Sequence, residues 1–358
     1  MADPQPSRDS PPPEARRQRS GPWREPVRGG HPAPGTLTLS GTEQLQAMVS
    51  GQTPQPPLSR LIGMTLEEFG PGAATFRMPL SGWLVGPYEQ IPLGPLTIPA
   101  DAAMACAVMT GLPARTPFTT SELSLRLLRK PRPGGWVLAR GRVVDVGDPV
   151  ALAEVEVRDD RDQLIAHGSS LCVTLPAGAP RMAPPGAPEV FEGDGPDPWE
   201  RAAAGTALDR STWAHAGGLE IVTARLRGEV PPSPIEVLTG LAPAAASPGE
   251  AVFTLPASPW FCAPPPGRVQ GGVVALLADA AIAGALETTA PPGVGFGPVD
   301  LKVNYLRPLA SDGREACAQA SSVHSGRRIG VAGAEVLDAD RRPIAVATGS
   351  GLFTGVPG

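Results

Sequence analysis

The chain repeats itself. "SGQTPQPPLSRLIGMTLEEFGPGAATFRMPLSGWL" begins at Ser50 and "RGEVPPSPIEVLTGLAPAAASPGEAVFTLPASPWF" at Arg227, and the two share turn residues at an offset of 177. Gly51, Pro54, Pro57 and Gly63 meet Gly228, Pro231, Pro234 and Gly240. Pro71-Gly72, Phe76, Pro79, Ser81 and Trp83 meet Pro248-Gly249, Phe253, Pro256, Ser258 and Trp260. After a slip of one residue, Asp101 falls opposite Asp279 and "SELSLRLLRKP" (from Ser121) opposite "VDLKVNYLRP" (from Val299). "ALAEVEVRDDRDQLIAHGSS" (from Ala151) then matches "GVAGAEVLDADRRPIAVATGS" (from Gly330). A period this long marks a duplicated domain rather than a solenoid. One fold must therefore serve both halves.

Each half opens with a short helix ("GTEQLQAMVSG"; "GGLEIVTARLRGE") whose apolar residues recur at helical spacing. An extended segment, one apolar helix and alternating strands follow. "EVEVRDDRDQLIAHGSSLCVTL" is a hairpin turning at Asp159 to Asp162, and "AEVLDADRRPIAVATGSGLF" repeats the device. One long helix followed by an antiparallel meander is an α+β pattern, the helix wrapped by its sheet. The expected organisation is a disordered tail over 1–35, a first domain over 36–176, a Pro/Gly-rich acidic linker over 177–210 and a second domain over 211–358.

A net charge of -5 argues against a nucleic-acid surface, which needs a basic face. No apolar run approaches the roughly 20 residues of a membrane span, and the start has no apolar core of a signal peptide. Cys106, Cys172, Cys262 and Cys317 lie far apart without metal-ligand spacing, and His31, His167, His215 and His324 are scattered, so no metal site is expected. The expectation is a cytoplasmic protein with reduced cysteines. No G-x-S-x-G elbow occurs.

The chemistry concentrates in "GRVQGGVVALLADAAIAGAL", Gly267 to Leu286, an apolar helix with one carboxylate, Asp279. A buried carboxylate shifts its pKa, finds a partner or does chemistry. Gly271-Gly272 open the helix, and their backbone N–H groups can face a ligand and stabilise an oxyanion. Asp279 lies about two turns on and shares roughly one face with the glycines, which suits acyl transfer with Asp279 as nucleophile or base. The alternative is a core helix whose aspartate hydrogen-bonds across an interface. In the first half, Pro99 predicts a helix that starts late or kinks.

These segments, with "DLKVNYLRP" and "HSGRR", closely resemble the hotdog-fold acyl-CoA thioesterases of the phenylacetate-degradation and 4-hydroxybenzoyl-CoA type. The resemblance spans nearly all of 211–356, with 36–176 as a weaker copy. It implies two tandem hotdog domains, each an antiparallel sheet wrapped around one long helix. Active sites would lie between the units of this fused pseudo-dimer, which is open to further pairing as a homodimer. It implies hydrolysis of an acyl-CoA thioester, with coenzyme A only as part of the substrate and no separate cofactor. Asp279 matches the family's catalytic carboxylate and Gly271-Gly272 its oxyanion-hole glycines. Gln270 stands where the family has His, and Ala263 where it often has Asn. Asp101 and Gly94 are the counterparts in the degenerate first half, expected to be mainly structural, with Asp101 a second candidate. Asn304, Arg307, Arg327 and Arg328 resemble positions that hold the phosphates or pantetheine of coenzyme A. The competing reading is a protein that binds acyl-CoA or an acyl chain without turnover, as a sensor or partner subunit.

Overall fold

The β-patterned segments of both halves join one sheet. The computed structural model describes residues 20–175 and 189–355. Twelve strands, β1 (Thr65–Gly70), β2 (Ala73–Pro79), β3 (Phe118–Leu127), β4 (Trp136–Val146), β5 (Val150–Asp159), β6 (Leu164–Thr174), β7 (Ala242–Ser247), β8 (Glu250–Pro256), β9 (Val294–Tyr305), β10 (Glu315–Ser325), β11 (Ile329–Leu337) and β12 (Pro343–Gly355), pair antiparallel. Their order is β1-β2-β4-β5-β6-β3-β9-β12-β11-β10-β8-β7, which reads as the same six-strand order from either edge. The two units meet at β3 and β9, where Glu122 to Arg126 run opposite Asn304 to Asp300. Hydrogen-bonding across this joint removes two edges that would otherwise be exposed.

Each half-sheet wraps one central helix, Gly94–Gly111 in the first unit and Gly271–Glu287 in the second. The second is buried nearly all round, as its continuous Val, Leu, Ala and Ile demand of a helix with sheet on one side and a helix on the other. The turns repeat as the sequence implied. Asp159 Oδ1 accepts from Arg161 and Gln163 N–H, and Asp338 Oδ1 from Asp340 and Arg342 N–H.

Pro99 does not delay the helix, which begins at Gly94 and runs through it. Proline forfeits one intrahelical bond, and burial of residues Gly94 to Asp101 outweighs that loss.

The expected disordered tail is corrected over residues 20–35, while 1–19 and 176–188 lie outside the described residues. A single turn, Pro22–Arg24, sets Trp23 against Gly240 of the second unit, and Trp260 Nε1 donates to Glu25 O at 2.9 Å. The linker does the same in the opposite direction. The turn Pro198–Glu200 sets Trp199 against Gly63 of the first unit, and Trp83 Nε1 donates to Arg201 O at 3.0 Å. Gly63 and Gly240 end short helices at φ 75°, and a Cβ there would lie within 2.6–2.7 Å of the indole, so glycine is required twice over. The arms therefore cross, each packing on the other repeat's body. Strands Gly29–His31 and Glu189–Phe191 pair with each other, and a bidentate ion pair joins Arg201 to Glu25 at 2.7 and 2.8 Å. Packed indoles supply the apolar burial that composition alone did not reveal.

Candidate active site

The central helices face each other in opposite directions at very close range. A Cβ on Gly272 would lie 2.5 Å from Thr97 O and 2.6 Å from Ile98 Cα, and one on Gly94 would lie 3.0 Å from Leu276 Cδ1. Thr97 ties the helices together, its hydroxyl meeting both Gly94 O (2.6 Å) and Gly272 O (2.7 Å). Glycine at these positions is what lets each aspartate reach the opposite helix.

This corrects the pairing expected within one helix. Gly272 and Asp279 are seven residues apart, about 10 Å along the axis, too far to act on one carbonyl group. Asp279 Oδ2 instead accepts from Gly94 N–H of the first helix at 2.9 Å, and Asp101 Oδ2 from Gly272 N–H of the second at 3.2 Å. The duplication thus creates two composite sites, each taking its carboxylate from one unit and its amide from the other. The alternative noted above, an aspartate bonded across an interface, describes this geometry.

The site around Asp101 is the richer in donors. Thr120 Oγ1, on β3, reaches Asp101 Oδ1 at 3.3 Å. Gly271 N–H, at the first helical position, has no acceptor among the described residues. Tyr305, on β9, donates to Gly271 O at 2.9 Å and pins the start of the helix. Burial pushes the Asp101 carboxyl up to about 6, against the pull of Gly272 N–H and the Thr120 hydroxyl. Asp279 has Gly94 N–H alone, and burial pushes it to about 7.

Gln270 commits one amide hydrogen to the opposite helix. Its Nε2 donates to Ile98 O at 3.0 Å, linking the segment before the second helix to the first helix, and its Oε1 is buried without a partner. The four expected coenzyme A residues are not brought together. Asn304 and Arg307 follow β9 towards the Gly271 end, both exposed; Arg307 donates to Pro343 O and lines a cleft of about 290 Å³ with Arg314 and Arg342. Arg327 and Arg328 sit at the exposed β10–β11 tip. There Ser325 meets Thr289, just past the far end of the second helix, so they are separated from Gly271 by about the helix length, some 25 Å.

Thr120 and Tyr305 were missed by sequence reasoning. Thr120 aligns with Pro298, so the repeat conceals rather than marks it.

Comparison with known proteins agrees with the fold. A thioesterase superfamily model matches residues 99–166 and 266–345, one region in each unit. A Halobacterium salinarum protein provisionally named an esterase is 38% identical over 96 residues, 25% of this chain and 62% of that protein. The chain thus spans less than two thirds of that relative's length. Two solved structures share the architecture. A provisionally named thioesterase of Novosphingobium aromaticivorans is 15% identical with TM-score 0.53, covering 81% of this chain and 98% of that one. The acyl-CoA thioesterase II of Mycobacterium marinum is 12% identical with TM-score 0.50, covering 83% and 98%. Likeness at such identity is one of fold. The chain has the tandem double-hotdog fold, and each of its units contains a region that the thioesterase superfamily model matches.

Proposed function

We propose that this protein hydrolyses an acyl-CoA thioester at the site built by Asp101 and Thr120 of the first unit with Gly271 and Gly272 of the second. The observation that carries it is the convergence of a carboxylate, a hydroxyl and a helix N-terminus on one point between the units. The unpartnered Gly271 N–H, aided by the helix dipole, faces the developing oxyanion of the thioester carbonyl group. Gly272 N–H and Thr120 fix the Asp101 carboxylate, which with its pKa near 6 is ionised at neutral pH. A water held between Asp101 and Thr120 gives its proton to Asp101 as its oxygen attacks the carbonyl carbon. The C–S bond then breaks, Asp101 returns the proton to the departing thiolate, and free acid and CoA leave. Asp279, with one amide and a carboxyl half-protonated at neutral pH, is the weaker base.

The test is thiol release from a panel of acyl-CoA thioesters by the wild type, Asp101→Asn and Asp279→Asn. The expected result is a loss of about 10²–10⁴-fold in kcat for Asp101→Asn, with most activity kept in Asp279→Asn. The reverse pattern moves the chemistry to Asp279. Saturable binding with no turnover by the wild type makes the protein an acyl-CoA binder.

A further inference from the structure

The segment that leads into the second central helix carries a charge that no group among the described residues answers. Val269 is buried and donates to Leu309 O, and Arg268 bridges Ala310 in an extended stretch. Side chains alternate in such a stretch, so Arg268 projects to the same side as Gln270. On that side Gln270 reaches Ile98 O of the first helix. Two polar atoms here are buried without partners, Arg268 Nε and Gln270 Oε1. Arg60, Arg201 and Arg225 also bury an Nε without an acceptor, but each holds a carboxylate through its terminal nitrogens, Asp197, Glu25 and Glu236 respectively. The Arg268 side chain has no hydrogen bond or ion pair among the described residues.

A guanidinium taken partly out of water without a counter-charge is destabilising, and arginine does not escape by losing its proton. Burial alone pulls its pKa down, with no charged group acting on it. The fork of N–H donors matches a carboxylate or phosphate. It stands three residues before Gly271, whose N–H is also free.

We propose, resting on the thioester reading above, that Arg268 is the anion-binding residue of the Asp101 site and takes an oxyanion carried by the thioester. That oxyanion is a phosphate of the CoA moiety or a carboxylate on the acyl group. Both present the same chemistry to the guanidinium, and the substrate separates them.

The experiment uses the full chain, Arg268→Gln and Arg268→Lys, each first checked by thermal melting. Binding of the hexyl and carboxybutyl thioethers of CoA, which resist hydrolysis, is measured by calorimetry. KM is measured for hexanoyl and glutaryl thioesters of CoA and of N-acetylcysteamine, which lacks phosphates. If the anion is phosphate, Arg268→Gln weakens both thioethers and raises KM for both CoA esters by about tenfold or more, leaving the N-acetylcysteamine esters unchanged. If it is an acyl carboxylate, the loss is confined to the carboxybutyl thioether and the glutaryl esters on either carrier. Arg268→Lys, retaining charge but not the fork, falls between wild type and Arg268→Gln, and it carries the same comparison should Arg268→Gln not fold. Unchanged binding and KM across the set in a folded variant overturn the proposal. A wild type that binds the thioethers but hydrolyses none of the esters defeats the thioesterase reading alone, and the binding data still decide the role of Arg268.

Discussion

The two composite sites began as copies and now differ in how many donors face the carboxylate. Asp101 receives the Gly272 amide and the Thr120 hydroxyl, beside a second, free amide at Gly271. Asp279 receives Gly94 N–H only; the next residue, Pro95, has no N–H, and Pro298 replaces the hydroxyl of Thr120. Both carboxylates are buried, yet burial leaves Asp101 near 6 and Asp279 near 7. Hydrogen bonds to the charged form account for the lower value. The surroundings diverge too. Where the first central helix has Met109, the second has Glu287, buried, raised to about 8 and bonded to Tyr88 with Arg225 nearby. The duplicated geometry is present in both places, while the second donor to the carboxylate is present in one.

The sharpest way to break this comparison is the aspartate pair already described, with its expected 10²–10⁴-fold difference between Asp101→Asn and Asp279→Asn. Next in size is Gly272→Ala, whose methyl meets helix backbone at 2.5 Å. It is expected to cost about 3 kcal/mol in chemical denaturation, against about 1 kcal/mol for Gly94→Ala, whose contacts, Leu276 Cδ1 at 3.0 Å and Leu276 Cα and Asp279 Oδ2 at 3.1 Å, need to give by only a few tenths of an ångström. The third is pH-dependent. Asp279 is raised in the folded state, so the folded protein binds its proton more tightly, and stability falls as pH rises from about 4 to about 7. Asp279→Asn, which keeps an acceptor for Gly94, should therefore gain a few kcal/mol over wild type at pH 8 and almost nothing at pH 4. The same logic has kcat/KM rising through pH 6 as Asp101 ionises; a profile flat from pH 5 to 8 contradicts it. Thr120→Val, which leaves the buried Asp101 carboxylate one donor short, should lower kcat about tenfold and cost about 1 kcal/mol of stability. Smallest is the ion pair of the crossed arms, whose side chains are about a third exposed. Glu25→Arg should cost about 1 kcal/mol and the double reversal with Arg201→Glu should recover it.

Much of the architecture was written in the sequence. The shared turn residues and the long apolar helix "GGVVALLADAAIAGAL" point to two like units with buried helices, and they are found. What periodicity along one helix cannot express is which second helix it faces. Asp279 and Gly271-Gly272 look like one site because they share a face, and only the packing of the Gly94–Gly111 helix separates them. The arms escaped for a different reason. "GPWRE" and "DPWER" sit in Pro-rich stretches that read as tail and linker, although the repeated Pro-Trp, at Pro22-Trp23 and Pro198-Trp199, was a visible signal. Arg268 left no pattern at all, because an unanswered charge is a property of its surroundings.

The crossing of the arms places corresponding residues of the two repeats, Glu25 and Arg201, face to face. Corresponding residues touch only on a two-fold axis, and in a dimer of identical chains such a position meets itself. Glutamate would oppose glutamate there, or arginine arginine, and either pair repels. An ion pair at that point is closed to a dimer of identical chains and open to a fused chain, which spells the position twice. The salt bridge is thus a trace of emancipation: once joined, the halves no longer had to agree, and the same freedom let their carboxylate sites part ways.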